Sequence, residues 1–297
     1  MEIFLKNFLE MTAKINKFIP EIVIDNLTIE QRIYLGKIFQ IHSRFPNLQE
    51  LEKLLDETWI EYNCDPLKED KKINKFYSHP VWLLNGLFIE QDKQSLFNRE
   101  IILNWIKEQN PRRIADYGGG FGTLSRLIAK NLPDSMIEII EPYPFKAAVA
   151  MNKDFTNLSY EKELSGVYDL IVSTDVFEHL FDPVKIANIT ANSLKIGGYF
   201  LTSNCFAPVI KCHLPQHFHL DIGWDSVMEA MGLKKESKVG YGSAFKKECS
   251  LDLEASRRIE KMSKMIYSLL RFFPKGKSKL GKLIISFFVK IIFIQKK

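Results

Sequence analysis

The sequence predicts an α/β fold built on a mostly parallel sheet, with a helical region before it and a basic apolar tail after it. Between residue 113 and about residue 204, short apolar runs alternate with amphipathic helical patterns, which is typical of strand–helix units in a sheet covered on both faces. Before residue 110, apolar residues recur at helical spacing, which favours helices. We therefore predict three parts: a helical N-terminal cap domain over 1–110, a ligand-binding sheet domain over 111–252 and an amphipathic tail over 253–297.

The N-terminal region is predicted to be a series of helices. Helical spacing covers residues 1–19, and Thr28 to Gln31 form a capping box that opens a helix through about residue 43. Pro46-Asn47 opens the next helix, and another spans about 95–109. Two interpretations stay open for four ring-bearing residues of this region. They line a pocket for a ligand or, as we favour, they belong to the core. These residues are Tyr77, His79, Trp82 and Phe88.

The sheet domain is predicted from the order of its apolar runs. Strands are expected near 113–117, 136–141, 157–160, 168–174, 198–204, 233–239 and 244–252. Helices are expected near 122–132, 144–152 and 183–195, with a further helix from Gly223 to about Met231. Gly197-Gly198 is predicted to form a tight turn into the fifth strand.

A cluster of glycines follows the first predicted strand, at the point where a helical pattern begins. The strand ends near Asp116, and four glycines, at positions 118, 119, 120 and 122, lead into the helix. Glycine tolerates positive φ and lets a ligand approach without a Cβ in the way, and the free N–H groups of a new helix point towards that ligand. Thr123 stands where a G-x-G-x-x-G dinucleotide motif has its third glycine. The turn therefore predicts a nucleotide-type ligand other than a dinucleotide.

Four motifs in this order resemble those of class I S-adenosylmethionine (SAM)-dependent methyltransferases. The glycine turn is similar to the family's first motif, and Glu141 ends the second predicted strand as an acid able to accept hydrogen bonds from ribose hydroxyls. Residues 168–183, YDLIVSTDVFEHLFDP, resemble the fourth motif, and residues 194–201 resemble the following helix end and fifth strand. The resemblance covers about residues 112–252. It implies a Rossmann-like methyltransferase sheet flanked by helices, with SAM as the cofactor.

The resemblance also implies which residues bind SAM. They are Asp116, Gly118, Gly119, Gly120, Gly122, Glu141, Thr174 and Asp175. The first acid and the glycine backbone would lie along the methionine part, the acid after the second strand would hold the ribose, and the last two residues would line the floor near the transferred methyl group. Glu141 as a plain surface acid stays open, as does a contact of Glu161 or Glu163 with the adenine. Asp169, at the start of the fourth strand, is expected to be structural.

Four histidines are the predicted catalytic residues: His179, His213, His217 and His219. Transfer to an oxygen or nitrogen usually requires a base for the acceptor's proton, and histidine suits this role near neutral pH. Three of the four follow the fifth predicted strand, and ligands of open parallel sheets bind beyond the carboxyl ends of strands. Two alternatives stay open: the imidazoles cap backbone groups, or they join Cys212 or Asp221 in a metal site. Because their spacing matches no familiar zinc pattern, we predict no metal.

Charge is unevenly distributed along the chain. The net charge is +5, yet residues 255–297 contain twelve Lys or Arg and one acid, so the rest of the chain is mildly acidic and nucleic acid is not an expected partner. The tail combines this charge with an apolar helix face and a nearly continuous apolar run over 283–294, which is typical of a helix lying in a membrane interface. The face consists of Met262, Met265, Ile266, Leu269, Leu270 and Phe273. The alternative is that 283–294 packs against the N-terminal helices or a second subunit.

The remaining features bound the location and the function. Four cysteines without a C-x-x-C pair predict free thiols in a reducing cytosol, and no run of eighteen apolar residues predicts a transmembrane helix. We expect a cytoplasmic protein whose tail associates with the inner face of the membrane. The predicted function is SAM-dependent methyl transfer to an oxygen or nitrogen of a small-molecule, glycan or lipid-linked acceptor. The alternative is a membrane-associated SAM-binding or scaffold protein without methyl transfer; the acceptor and the oligomeric state stay open.

Overall fold

The computed structural model describes residues 15–270 together with residues 279, 281, 283, 284 and 287. Most of the predicted helix over 1–19 lies outside the described residues, as does most of the apolar run over 283–294. The chain divides into two compact units, Met1–Asn104 with Gly119–Glu163, and Trp105–Gly118 with Leu164–Lys297. The three-part division at residues 110 and 252 stays a prediction.

Six helices confirm the predicted helical character of the N-terminal region. They are α1 (Glu21–Asp25), α2 (Ile29–His42), α3 (Leu48–Glu61), α4 (Lys71–Tyr77), α5 (Pro80–Ile89) and α6 (Lys93–Gln109). Both predicted starts are confirmed: Thr28 and Asn47 each form a capping box, with Gln31 and Glu50 respectively. Helix α4 is an addition within a stretch too polar to suggest one, and the Asp70 carboxylate caps it by accepting the N–H of Lys72 at 2.8 Å.

Aromatic rings fill the core of the helical region. Phe39 and Phe76 are fully buried, and the ring of Trp59 meets that of Phe76 edge-on at 5.1 Å. Trp82 packs at 5.5 Å against Phe76 and at 5.1 Å against Tyr77. Such edge-on and tilted pairs stabilise a core beyond their buried area. For Tyr77 and Trp82 these contacts support the core interpretation over the pocket one.

The chain forms a sheet of seven strands in the order β3-β2-β1-β4-β5-β7-β6. The strands are β1 (Arg113–Tyr117), β2 (Met136–Ile140), β3 (Leu158–Glu161), β4 (Tyr168–Thr174), β5 (Leu194–Ser203), β6 (Leu233–Val239) and β7 (Gly242–Lys247). The pairs β1–β4, β2–β3 and β4–β5 are parallel, whereas β7 is antiparallel to both β5 and β6. The sheet is therefore mixed and Rossmann-like, with its antiparallel strands grouped after β5.

Helices connect the strands as predicted, with some shifted bounds. They are α7 (Thr123–Asn131), α8 (Lys146–Ala150), α9 (Pro183–Asn192), α10 (Leu220–Met231) and α11 (Leu253–Leu270), with short 3-10 turns at Phe177–His179 and Pro215–His217. Helix α10 begins three residues before the predicted Gly223, because the turn at 215–217 leads almost directly into it. In the second unit, Tyr168 and Phe200 are fully buried on β4 and β5.

The start of β5 differs from the prediction. Helix α9 ends at Asn192 instead of residue 195, and Gly197-Gly198 lie inside β5 instead of forming a turn before it. Tyr168 pairs with Leu194, but Leu170 pairs with Tyr199. The longer segment on β5 is therefore a bulge, and the positive φ of Gly197, 82°, lets the strand bend there.

The described part of the tail folds as helix α11 and packs against α10. Its buried stripe includes Ile259, Ile266 and Leu270 together with small residues such as Ser263. Two members of the predicted apolar face, Met265 and Leu269, are instead 60% and 61% exposed. The buried face of the helix is thus rotated relative to the predicted one. The reason is that small polar residues at helical spacing form part of the buried face. Phe273 lies outside the described residues.

A comparison of two glycines tests how tightly the turn before α7 is packed. Gly122 and Gly197 have similar backbone angles, φ 78° and 82°. A Cβ on Gly122 would lie 2.8 Å from Ile139 Cδ1 and 3.0 Å from the Tyr160 hydroxyl, whereas at Gly197 no atom of the described structure lies within 4 Å. Both alanine variants are expected to lose about 1 kcal/mol to backbone strain, and G122A a further ~1–3 kcal/mol to overpacking. The midpoint of urea unfolding measures the difference; equal losses in both variants would contradict the close packing of Gly122.

Candidate active site

The glycine turn that follows β1 has an unusual backbone. Gly118, Gly120 and Gly122 all have positive φ, of 70°, 52° and 78°, a conformation that other residues adopt only with strain. The N–H of Gly122 donates to the carbonyl of Gly119 at 2.8 Å, which closes the turn. Gly122 is the N-cap residue of α7 and has no side chain to satisfy the helix's first N–H groups. The sequence prediction of a tight strand–turn–helix is therefore confirmed as local structure.

Within the first unit, three side chains brace this turn from outside. The Tyr160 hydroxyl donates to the carbonyl of Gly120 at 3.0 Å, and the Arg126 guanidinium donates to the carbonyl of Phe121 at 2.8 Å. The same guanidinium forms an ion pair with Glu90 at 2.5 Å, and the Thr123 hydroxyl also donates to Glu90. Because the carbonyls are held from this side, the shape of the turn is fixed independently of any ligand.

Gly86 of α5 adds a packing constraint on the same turn. A Cβ at this position would lie 2.6 Å from Phe121 Cβ, so the helix backbone and the turn approach each other as closely as a glycine allows. The Phe121 side chain is buried at this contact. The helical N-terminal region therefore takes part in holding the glycine turn.

Two of the predicted SAM-binding residues, Asp116 and Gly118, belong to the second unit. Asp116, the penultimate residue of β1, is only 1% exposed. A Cβ on Gly118 would lie 2.5 Å from Val176 Cγ2, so this glycine is required by packing as well as by its φ. Burying a carboxylate costs free energy unless it is hydrogen-bonded. Asp116 is therefore expected to bind either a group of the protein or a ligand.

The remaining predicted cofactor residues stand at strand ends. Glu141 directly follows β2 and accepts the N–H of Tyr143 at 3.3 Å. Thr174 ends β4 opposite Ser203 of β5. Asp175 follows with φ 55°, and its carboxylate accepts a hydrogen bond from the Tyr241 hydroxyl at 2.8 Å. Their placement at carboxyl ends of parallel strands is where ligands of such sheets bind; their individual roles stay predictions.

The structure supports the role predicted for Asp169 but not yet one for the two glutamates near β3. The Asp169 carboxylate accepts the N–H groups of Arg112 and Arg113, both at 2.8 Å, and pairs with Lys195 at 2.5 Å. Asp169 is therefore structural, as predicted. Glu161 ends β3 with its carboxylate accepting from the Ser159 hydroxyl at 3.0 Å, and Glu163 is exposed; an adenine contact by either stays a prediction.

The four predicted catalytic histidines fall into two separate clusters. One contains His179 and His213, whose rings lie 4.9 Å apart edge-on, together with Glu178. The other contains His217 and His219 together with Glu260 of α11. Proximity along the chain therefore does not group the histidines, because a turn of the loop separates His213 from the other two.

Each histidine holds a backbone or side-chain group. Nδ1 of His179 donates to the carbonyl of Cys212 at 3.1 Å, and Nδ1 of His213 donates to that of Ala207 at 2.8 Å. Desolvation lowers the pKa of His179 to about 3 and those of His217 and His219 to about 4, with neighbouring charged or imidazole groups adding to the effect on His179 and His219. These imidazoles are therefore neutral at physiological pH. The contacts agree with the capping alternative, and a catalytic role stays a prediction.

Glu178 is a candidate functional residue that sequence reasoning missed. It is 1% exposed, and its Oε1 accepts the N–H of Cys205 at 2.9 Å. Burial, followed by the charge of Asp175, raises the pKa of Glu178 to about 8. Its Oε2 has no hydrogen-bond partner among the described residues. A buried acid with a perturbed pKa beside two histidines marks a functional-site candidate; in the sequence, only its place in Glu-His-Leu hinted at it.

The sequence was compared with protein families and curated proteins, and the fold with solved structures. Residues 89–233 match the model of a family described as a methyltransferase domain, and no curated protein matches the sequence. Among solved structures, the chain is similar to an O-methyltransferase family protein from Burkholderia thailandensis, with 13% identity over 68% of this chain and 71% of that chain and a TM-score of 0.49. Human N-acetylserotonin methyltransferase in complex with SAM has 15% identity over 74% and 71%, with a TM-score of 0.45. N-methyltransferase NodS from Bradyrhizobium japonicum has 12% identity over 52% and 97%, with a TM-score of 0.36.

The strand order and the matched residues together define the class of protein. The sheet is Rossmann-like, has a glycine turn after β1, and has a seventh strand antiparallel to β5. This is the methyltransferase variant of the doubly wound fold. Residues 89–233 are a methyltransferase domain, and its strands belong to a Rossmann-like methyltransferase sheet. The recognition made from four sequence motifs is confirmed.

The raised pKa of Glu178 predicts a specific pH dependence of stability. An unfolded Glu has a pKa of 4.5, so between pH 6.5 and about 8 the folded protein keeps a proton that the unfolded chain has released. The contribution of Glu178 to the free energy of unfolding should therefore fall as pH rises, by up to about 1.4 kcal/mol per pH unit, until the pKa near 8 is passed. E178Q lacks this titration and should lose that slope. Urea unfolding at several pH values in this window measures it.

The pH window and the control isolate Glu178. The buried histidines have folded pKa values below the ordinary 6.5, so near that pH they add a slope of the opposite sign, which fades as the unfolded histidines lose their protons. This contribution is common to wild type and E178Q, so the difference between the two proteins isolates Glu178. E254Q, at an exposed position in the first turn of α11, should keep the wild-type slope. A wild-type slope in E178Q would show that Glu178 is already ionised at pH 6.5.

Proposed function

We propose that this methyltransferase transfers the methyl group of SAM to an oxygen or nitrogen of a small-molecule, glycan or lipid-linked acceptor. The observation that supports it most is the glycine turn over 118–122, whose positive φ angles lead tightly into α7 and whose N-cap glycine offers no side chain to the first N–H groups of that helix. Acids stand at the carboxyl ends of β1 and β2, where a SAM-dependent enzyme needs them for the amino group of methionine and the ribose hydroxyls.

The proposed cofactor contacts follow from these placements. Asp116 and the backbone of the turn would hold the methionine part of SAM, and Glu141 would accept hydrogen bonds from the ribose. Thr174 and Asp175 would lie near the transferred methyl group. Tyr241 supports the last assignment, because its hydroxyl donates to Asp175 at 2.8 Å and so orients that carboxylate. SAM itself supplies the reactive sulfonium; the chain's task is to position the acceptor in line with it.

The acceptor's proton needs a destination in the same region. As the acceptor atom forms its bond to the methyl carbon, the carbon–sulfur bond breaks, S-adenosylhomocysteine leaves, and an O–H or N–H acceptor gives up one proton. Of the two histidine clusters, the one with Glu178, His179 and His213 directly follows β4, next to Asp175. We assign proton acceptance to this cluster. His217 and His219, in the second cluster, lie farther along the loop and are assigned to it only as predicted candidates.

Contact with a membrane surface remains a proposal about the acceptor's location. None of the helices in the described part of the chain is long and apolar enough to cross a membrane. The tail does present exposed apolar side chains on a basic segment, at Met265, Leu269 and Leu283, which is the composition of a helix that lies on anionic headgroups. A lipid-linked acceptor would suit such a surface, and a small soluble acceptor would not need it.

The ribose role of Glu141 is tested by titrating SAM into the full-length protein in a calorimeter. A hydrogen bond to a charged group contributes about 1.5–3 kcal/mol, so the loss of even one of the two ribose bonds proposed for Glu141 should make E141A bind SAM at least roughly 10–100-fold more weakly than wild type. E138A, three residues earlier on β2, is the matched control and should bind as wild type does.

Two outcomes would count against this proposal. Wild-type affinity in E141A would return Glu141 to the role of a surface acid. An absence of heat and of any thermal shift with wild-type protein at millimolar SAM would contradict SAM binding altogether and would favour the scaffold alternative.

A further inference from the structure

The second histidine cluster keeps its predicted candidates His217 and His219, but no step of the proposed methyl transfer depends on it. His217 lies in the 3-10 turn at Pro215–His217, and His219 is the N-cap residue of α10. Glu260 approaches from α11, so two segments of the second unit that are distant in sequence meet here. One nitrogen of each ring and one carboxylate oxygen of Glu260 lie within 4.8 Å of one another. Two imidazoles and a carboxylate at that spacing are a ligand set for a divalent transition metal.

The hydrogen bond of His217 fixes which of its nitrogens is free. Its Nε2 lies 3.1 Å from the carbonyl oxygen of Phe181. A carbonyl can only accept, so Nε2 carries the hydrogen and Nδ1 keeps its lone pair. His217 is only 6% exposed, and Nδ1 is buried without a hydrogen-bond partner among the described residues. A buried acceptor left without a partner is costly, and a metal ion would satisfy it.

The tautomer of His219 follows from a chain of two hydrogen bonds. The Ser263 hydroxyl donates to the carbonyl of His219 at 2.7 Å, which uses its only hydrogen. Nδ1 of His219 lies 3.2 Å from the same hydroxyl oxygen, so Nδ1 must be the donor in that contact. The lone pair is then on Nε2. This arrangement is usual for metal-binding histidines: one ring nitrogen donates a hydrogen bond, and the other is unprotonated and can bind the metal.

The carboxylate of Glu260 is oriented by a neighbour on its own helix. Nη1 of Arg257 donates to Oε2 of Glu260 at 2.7 Å, while Nη2 of the same guanidinium pairs with Asp182 at 2.5 Å. The carboxylate is therefore oriented through one oxygen, and Oε1 is the oxygen offered to an ion. Second contacts of this kind tune and orient metal ligands.

The surroundings give room for further ligands. A cavity of about 230 Å³ adjoins the cluster and is lined also by Gln216, Lys261 and Lys264. The cavity has space for water molecules to complete the coordination of an ion. The two lysines oppose a cation, but both are exposed, so their ammonium groups can turn into solvent, where their repulsion is screened.

We propose that His217, His219 and Glu260 bind one divalent transition-metal ion of the Zn²⁺ type, through Nδ1, Nε2 and a carboxylate oxygen respectively. Water fills the remaining coordination positions. The ion ties the loop that follows β5 to helix α11, and so stabilises the segment that carries His213 and the start of α10. Because Glu260 is distant in sequence from the histidine pair, the spacing of residues gave no indication of this site.

The test uses the full-length protein after treatment with a chelator and dialysis. Titration with Zn²⁺ should show one ion bound per chain and a rise in Tm, and Co²⁺ should give the visible absorption bands of a site with nitrogen ligands. H219Q and E260Q should each weaken Zn²⁺ binding at least about tenfold, as loss of a ligand does. H42Q and E254Q, which change a histidine and a glutamate outside the cluster, are the matched controls and should bind as wild type does.

Each outcome decides the proposal without reference to SAM. Absence of Zn²⁺ binding by wild-type protein that is folded by circular dichroism would overturn it. So would unchanged Zn²⁺ affinity in the double variant H219Q/E260Q, which would place the ion elsewhere. Protection by inorganic phosphate in place of Zn²⁺ would assign the cavity to an anion held by its lysines and would also overturn the metal site. SAM binding measured on the same samples keeps a failure here separate from a failure of the proposed methyl transfer.

Discussion

The close approach of backbone and side chains at the glycine turn is the constraint on which the candidate site depends. Gly118 and Gly122 combine positive φ with neighbours that leave no volume for a Cβ. Tyr160 and Arg126 hold the carbonyls between them. These contacts direct the carbonyls away and leave N–H groups for a ligand, which is how a backbone can recognise a polar cofactor before any side chain takes part. The turn is therefore ordered by the contacts of the fold itself.

Much of this fold could be predicted because local chemistry and tertiary structure agree. The capping boxes at Thr28 and Asn47 begin helices as predicted, and the glycine spacing after β1 forms the expected turn. Where the fold overrides local signals, prediction fails. Gly197-Gly198 suggest a turn, yet pairing with β4 continues past them and converts them into a bulge. Long-range pairing of this kind leaves no signal in a short window of sequence.

The chemistry of the site was predicted less completely, for a related reason. Histidines were expected to act after the fifth strand, but which of them lie close to one another depends on how the loop turns. His213 joins His179 from another segment, and His217 joins Glu260 from α11. The burial that raises the pKa of Glu178 is likewise a tertiary property. A sequence shows which groups can act, and the fold decides which of them meet.

The two histidine clusters lie on different segments of the second unit. Glu178 and His179 directly follow β4, while His219 contacts Ser263 of α11 and so links the loop after β5 to that helix. A rigid loop serves a displacement reaction, because the nucleophile must be aligned with the bond that breaks. The first eighteen residues of the predicted tail form α11, which packs against α10 as part of the second unit.

Hydrogen–deuterium exchange of the full-length protein with and without SAM tests the central claim most directly. If the glycine turn and the acid after β2 hold the cofactor, SAM should slow exchange of the backbone amides over residues 116–124 and around residue 141. Protection confined to other segments, or unchanged exchange over 116–124 at saturating SAM, would contradict the assignment of this turn as the cofactor site.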